Sequence, residues 1–490
     1  MNGITGGNGA ARRVSWASGW RVAVTAVVIA AAIILPGWWF FNDPVGHFKP
    51  SMPGDDHKNA GTAVAAAKVE IGSDFKSLLS IPDVAGTRWP RFRGADFDNI
   101  SKETIPLIDT WPGRKPGILW TRPLGEGHAA PAVYDGKIYL LDYDEQTRSD
   151  RLLCLDLATG RDLWYRGYRV HLKRNHGLSR TIPAVSDRFV VTIGPKCHVM
   201  CVERKTGALL WGLDITGEYG GEVPFWYTGQ CPLLDGDTAV IATGGKAILA
   251  AFDCGSGRKL WETPNPGNLK MSHSSVIPMT LCGKRMYVYF AIGGVCGISA
   301  GGADRGTMLW QNTEFAPSVV APSPVALGND RILLTAGYGA GSAVVKVENA
   351  WGGFKASVVD RYKPQEGMAS EQQTPVFFDG YLYGIQPKDA GALRNQFICC
   401  RADDTRRVVS GSGKTHRFGL GPYILADGKF YILNDDGGMT IARATPEQFT
   451  VLDTAGIIDG RDSWGPIALT GGYLLMRDSK QLVCLDIKKK

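Results

Sequence analysis

The chain reads as an all-β, eight-bladed β-propeller, closed by strands from both termini within one blade and preceded by one transmembrane helix. Three observations predict the ring. One template recurs: Leu153–Cys154–Leu155–Asp156 leads through Gly160 to Trp164, Met200–Cys201–Val202–Glu203 through Gly207 to Trp211, and Ala250–Ala251–Phe252–Asp253 through Gly257 to Trp261. Each copy has a small residue ten before the Trp, an acid eight before and a Gly four before. Turn dipeptides between apolar runs, the mark of tight hairpins, fall at Asp135–Gly136, Ser186–Asp187, Asp235–Gly236, Cys282–Gly283, Gly328–Asn329, Asp379–Gly380, Asp427–Gly428 and Gly471–Gly472. Finally, Val483–Cys484–Leu485–Asp486 starts the template without its Gly and Trp, while Gly117–Ile118–Leu119–Trp120 upstream reads like the missing last strand.

From Gly136 to Gly472 the hairpins span 336 residues in seven intervals, a mean of 48. That period suits a four-stranded blade, and the flanking runs alternate as strands do. Eight hairpins imply eight blades. Within the template, Gly160, Gly207 and Gly257 supply positive φ in the turn between third and fourth strands. Trp120, Trp164, Trp211 and Trp261 are then expected to bury their rings between blades and donate their indole N–H to a turn carbonyl. Trp310 keeps Gly306 at the same offset, although its acid position reads as Gly302; blades five to seven lose the Trp.

Residues 1–21 read as a cytoplasmic tail, with Arg12, Arg13 and Arg21 before an uncharged run of twenty residues, Val22 to Phe41. That length matches a membrane span, Trp38–Trp39–Phe40–Phe41 resembles an interfacial belt, and the charges put the propeller outside. A cleaved signal peptide is the competing reading; the length of the run and its bulky end favour an anchor in the inner membrane. Residues 42–88 form a Pro-punctuated stalk, 89–116 an N-terminal extension packing on the propeller, and 117–490 the propeller itself. With 62 Gly and 10% aromatics this is a turn-rich β composition. A net charge of +7 without a dense basic stripe disfavours a nucleic-acid partner.

The small-x-acid, Thr-Gly, Leu-Trp template resembles the PQQ-type propeller repeat of quinoprotein alcohol dehydrogenases and of the outer-membrane assembly lipoprotein BamB. Trp89–Pro90–Arg91–Phe92–Arg93–Gly94, Leu124–Gly125–Glu126–Gly127–His128 and Asn175–His176–Gly177 resemble a bacterial family of exported PQQ-binding-like propellers. For the enzymes, the resemblance implies pyrroloquinoline quinone over the channel, a calcium ion, an Asp base and a ring of two adjacent oxidised cysteines. Cys399–Cys400 is such a pair. Yet aligning Thr405 with Thr159 puts Cys400 on Cys154, a small core slot shared with Cys201 and Cys484. No calcium set can be picked out by spacing. Asp435–Asp436–Gly437–Gly438 reads as a hairpin turn, Gly337-x-Gly339-x-Gly341 opens no helix, and several of the ten cysteines should remain free.

Residues just before each first strand ring the mouth of a propeller channel, so they converge in space. Here they are Glu126 and His128; Arg174, Asn175 and His176; Trp226 and Tyr227; Ser272 and His273; Glu371 and Gln372; and Arg461, Asp462 and Trp464. The bland reading is a hydrated mouth with bonded turn residues; the functional one is a ligand site, with a metal shared by the three histidines as one version. Two functions follow. One is a binding or scaffolding propeller presenting loops and mouth to an envelope protein partner. The other is a PQQ- and calcium-dependent oxidoreductase with the cofactor at that mouth.

Overall fold

The computed structural model describes residues 16–41, 68–114, 116–460 and 462–490. The chain divides into two units, 1–62 and 63–490. The first is described through its helix Trp16–Phe41, which covers the predicted helical segment. Among the described residues, however, no helix is long and apolar enough to cross a membrane, so the expected transmembrane anchor is not supported. The aliphatic run from Val22 ends at Leu35, before Pro36 and Gly37 inside the helix. Those fourteen residues rise about 21 Å at 1.5 Å each, short of the ~30 Å of a bilayer core. The tail 1–15 and the stalk residues 42–67 lie outside the described residues.

Eight sheets form the second unit, one per predicted hairpin, each built on four antiparallel strands. Blade one comprises Ala132–Tyr134, Lys137–Asp144, Ser149–Asp156 and Asp162–Arg169, from the innermost strand outward. The last blade is closed as expected: Gln481–Asp486 pairs with Ile118–Pro123, with Cys484 opposite Trp120. That is the register of Cys154 with Trp164 and of Cys201 with Trp211. In every blade this third-to-fourth strand ladder slips by a bulge, for example at Cys154/Leu155, Gly297/Ile298 and Cys484/Leu485. The slip places Cys399, rather than Cys400, in the slot of Cys154. It also corrects blade four: Gly297 faces Trp310, and Gly306 donates its N–H to Ser299, so Ser299 holds the acid position that Gly302 was expected to fill. Blade five, poorly marked in sequence, has its outer strands at Gly341–Ala350 and Gly353–Tyr362.

The template Gly does more than turn the chain. A Cβ at Gly160, Gly207, Gly257 or Gly306 would stand 2.6–2.8 Å from the ring of Trp120, Trp164, Trp211 or Trp261 in the preceding blade. Each Trp therefore lies flat on the next blade's turn, and Gly is required by both positive φ and contact. Trp120 and Trp211 donate their indole N–H to the carbonyls of Leu157 and Cys254, as expected. Trp261 leaves its own without a partner, and Trp310 donates to the Met286 sulfur. All ten cysteines are free, nine of them buried.

The N-terminal segment determines what the channel is. Asp74–Ser77 adds a strand outside blade one. Arg88–Trp89 then pairs with Val133–Tyr134 on the inner edge of the same blade. From there Pro90 accepts from Val185 of blade two, Arg91 donates to Leu234 of blade three, and Phe97 packs against the cores of blades three to five. Ile100–Ser101 runs parallel to Leu425–Ala426 of blade seven, and Glu103 accepts from Thr470 and Gly471 of blade eight. Residues 88–103 thus touch the inner strands around the ring and fill the channel from its hairpin end.

Candidate functional site

Above this plug, the residues that begin the innermost strands form a belt. The backbone N–H of Ile182 donates to the Cys231 thiol at 3.2 Å, that of Cys231 to Ser275 Oγ at 2.9 Å, that of Ser275 to Ser323 Oγ at 3.0 Å, and that of Ser323 to Thr374 Oγ1 at 2.9 Å. Each blade from two to five is therefore tied to the next through a buried small polar side chain, which satisfies an N–H that no strand reaches. Blades seven and eight carry Gly421 and Gly465 at the equivalent place. On that side Arg93 from the plug donates to the carbonyls of Thr374 and Pro375, while its other N–H groups reach Phe97 and Asp98. A small cavity with room for one water at most lies between Arg93, Asn99, Gln373, Tyr423 and Ile467.

The mouth sits over the belt, and it gathers most of the predicted residues. His128 stacks on Trp464 with centroids 5.1 Å apart, and Trp464 donates its indole N–H to Asp435 at 3.0 Å. Gly177, at φ +88°, is required beside His128, because a Cβ there would meet the imidazole at 2.8 Å. Trp226 lies 5.9 Å from both His273 and Tyr338, nearly parallel to the latter. Lys388 stands 5.2 Å over the Tyr338 ring and 3.5 Å from Glu371. Glu126 pairs with the exposed Arg174 at 2.6 Å, and Asn175 donates to the Phe225 carbonyl.

Other predicted residues serve the frame. Tyr227 is buried in a side cluster with Tyr143, Tyr168 and Leu172, and its hydroxyl donates to the Lys173 carbonyl. Ser272 is buried and bonded to Tyr289 and Phe290. The exposed Asp462 accepts from the Trp464 backbone through its own carbonyl. Gln372 is half-buried beside Gln373, whose amide bridges the Leu420 and Trp464 carbonyls. Arg461 lies outside the described residues. Of the three histidines only His128 and His273 are enclosed; among the described residues no group of three or more His, Cys, Asp and Glu side chains is placed to hold a metal ion.

The centre of this cluster is a residue that sequence reasoning missed. Arg180 donates from Nη2 to the carbonyls of Asn175, His176 and Gly177, so it shapes the loop that carries them. Burial pushes its guanidinium down to about 10. Burial first, and Arg180 next, push His128 and His273 down to about 3, so both imidazoles are neutral over the physiological range. Below His128, the buried carboxyl of Asp150 accepts from Tyr168 and Ser179; burial pushes it up to about 7. Tyr338, Lys388 and Asp435 were also outside the predicted rim. They come from loops between second and third strands, which open toward the same end as the starts of the first strands.

A family model described as "Outer membrane protein assembly factor BamB" matches residues 148–408, more than half of the chain. The chain belongs to that family. No curated protein matches it. Among solved structures, BamB from Moraxella catarrhalis is 10% identical and matches at a TM-score of 0.50, covering 76% of this chain and all of that one. The quinohemoprotein alcohol dehydrogenase of Comamonas testosteroni matches at 0.55 and 9% identity, over 82% of this chain and 81% of its own. A europium-containing methanol dehydrogenase matches at 0.53 and 13% identity, over 81% and 89%. At these identities the structural likenesses establish the propeller fold alone.

The residues present do not fit a quinone and calcium. Cys399 and Cys400 lie within the strand Phe397–Arg401 of blade six, opposite Tyr383 and Leu382, and both are buried in its core rather than set over the channel. At the mouth the enclosed Glu371 is already beside Lys388, with Asp389 near it, and among the described residues no group of three or more His, Cys, Asp and Glu side chains is placed to hold a metal ion.

Proposed function

We propose that this chain is a binding propeller of the cell envelope that presents the cup of its channel mouth to a protein partner. One observation carries the reading: residues 88–103 close the channel from below, so a ligand arriving at the mouth meets a shallow, aromatic, charged surface. Trp226, Tyr338 and Trp464 are the flat, weakly flexible side chains that dominate protein contacts, and Phe225 stands 48% exposed beside them. The family's description, an outer membrane protein assembly factor, supports an exported location and a protein partner. Envelope residence is part of this proposal.

The test is photo-crosslinking in cells, with benzoylphenylalanine at position 225 in the full chain. Position 359, on the outermost strand of blade five and somewhat more exposed at 58%, serves as the control. A discrete protein adduct at 225 that is absent at 359 and lost in Tyr338→Ala is expected. Equal labelling at both positions, or none at 225, sinks the reading.

A further inference from the structure

Four arginines around the channel have no carboxylate partner among the described residues, namely Arg91, Arg93, Arg180 and Arg477; Arg91, inside the plug, donates to the Leu234 carbonyl and lies over the Phe97 ring. Two are saturated. Arg93 donates from all three nitrogens to the carbonyls of Phe97, Thr374, Asp98 and Pro375. Arg477 likewise serves Asp478, Ala129, Gly125 and Ser479. Such guanidiniums are structural: every nitrogen answers an oxygen that would otherwise be unbonded.

Arg180 differs. Only Nη2 donates, at 2.8, 2.5 and 3.3 Å to three successive carbonyls of its own loop. Its Nε is enclosed without a partner, and Nη1 makes no hydrogen bond among the described residues. Its Nε–H is therefore an enclosed donor whose missing partner costs free energy, and the two N–H groups of Nη1 stand open to an incoming acceptor. The groups around it supply no negative charge: His128 and His273 are imidazoles, and Glu371 is engaged by Lys388.

We propose that Arg180 is the docking point for a single carboxylate on an acidic peptide held in the mouth. This rests on the partner-binding reading above and names the chemistry that the partner must present. A carboxylate answers both deficits at Arg180, since it brings one negative charge and the lone pairs that the free N–H groups lack. A monoanion suits the site better than a phosphate dianion, because Asp435 and Asp462 stand on the Trp464 side of the cup. The stacked Trp226 and Tyr338 offer a flat apolar wall for the neighbouring side chain. Such a carboxylate could be an acidic side chain or a chain terminus, which a peptide series separates.

The experiment titrates the full-length protein with three probes: N-acetyl-Gly-Trp-Glu amide, N-acetyl-Gly-Trp-Gln amide, and N-acetyl-Gly-Trp-Gln with a free terminal carboxylate. The readouts are calorimetry and the 15N resonance of the Arg180 Nε. Saturable binding of the Glu amide, at least about tenfold tighter than the Gln amide, with a shift of the Nε signal is expected. Comparable binding by the free-terminus probe assigns the terminal carboxylate as an equal source; its failure assigns the side chain. Arg180→Gln abolishes the preference, whereas Tyr338→Ala weakens both amides yet keeps it. The second variant leaves the loop carbonyls held, so it remains informative if the first misfolds. Equal binding of the two amides, or no binding at millimolar concentration, overturns the inference. Crosslinks at position 225 that persist in a folded Arg180→Gln protein overturn it too, while leaving the partner reading intact.

Discussion

The two ends of the channel use the same side chain in opposite ways. At the hairpin end Arg93 is enclosed by carbonyls and donates from every nitrogen; at the mouth Arg180 is enclosed yet donates from one. The difference teaches that a guanidinium held within the fold is structural or available according to what surrounds it: Arg91, in the plug, also leaves its Nε unbonded but is spent on the Leu234 carbonyl and the Phe97 ring, whereas Arg180 faces the mouth. It also separates the molecule into a sealed half, where blades converge on a segment distant in sequence, and a half whose polar groups point to the surface.

The largest effect that can break this comparison is Arg93→Ala. It removes four charged hydrogen bonds and strands the carbonyls of Thr374 and Pro375, so a loss of roughly 3–5 kcal/mol is expected in urea unfolding. Arg180→Gln should cost less than half of that. Equal costs would dissolve the distinction between the ends.

The mouth half should also control the pH dependence of stability. Asp150 is pushed up to about 7 by burial, so the folded protein holds a proton that the unfolded chain releases from about pH 4 upward. Its contribution is complete below about pH 4, falls as pH rises, and levels off above about 7. His128 and His273, pushed down to about 3, act in the other sense: the unfolded chain takes up protons below about pH 6.5 that the folded protein refuses until about 3. Melting temperature should therefore pass through a maximum between these limits. Asp150→Asn should flatten the alkaline limb and His273→Asn the acid limb, read by thermal melts across pH.

Smaller effects sharpen the picture. Ser323→Ala leaves the Ser275 N–H unpaired in the belt and should cost about 1–2 kcal/mol by chemical unfolding. Smallest is Trp464→Phe, which keeps the stack on His128 and loses the bond to Asp435, at about 1 kcal/mol or less. Both should leave amide exchange in residues 88–103 unchanged.

Much of the fold was legible because propeller signals are local. The Asp135–Gly136, Cys282–Gly283 and Asp427–Gly428 turns, all at positive φ, announce themselves in two residues, and the Cys484 fragment matched to Trp120 foretold the closure. His128, Trp226 and His273 were found because strand starts are readable. Arg180, Tyr338 and Lys388 were not: no periodic rule marks the turns between second and third strands, and an Arg that bonds carbonyls three to five residues back resembles any surface Arg in sequence.

What the sequence alone determined is the blade count, the hairpin positions, the spacing of the Gly and Trp template and the strand exchange that closes the ring, all of which follow from short-range patterning of apolar and turn residues. Tertiary structure alone decided that residues 88–103 fill the channel, that a Ser, Thr and Cys belt ties blades two to six, and that Arg180 sits unsatisfied at the mouth. Those outcomes depend on contacts between residues tens to hundreds of positions apart, such as Arg93 with Thr374. No local propensity encodes them, because each bond forms only after the blades have closed around the segment.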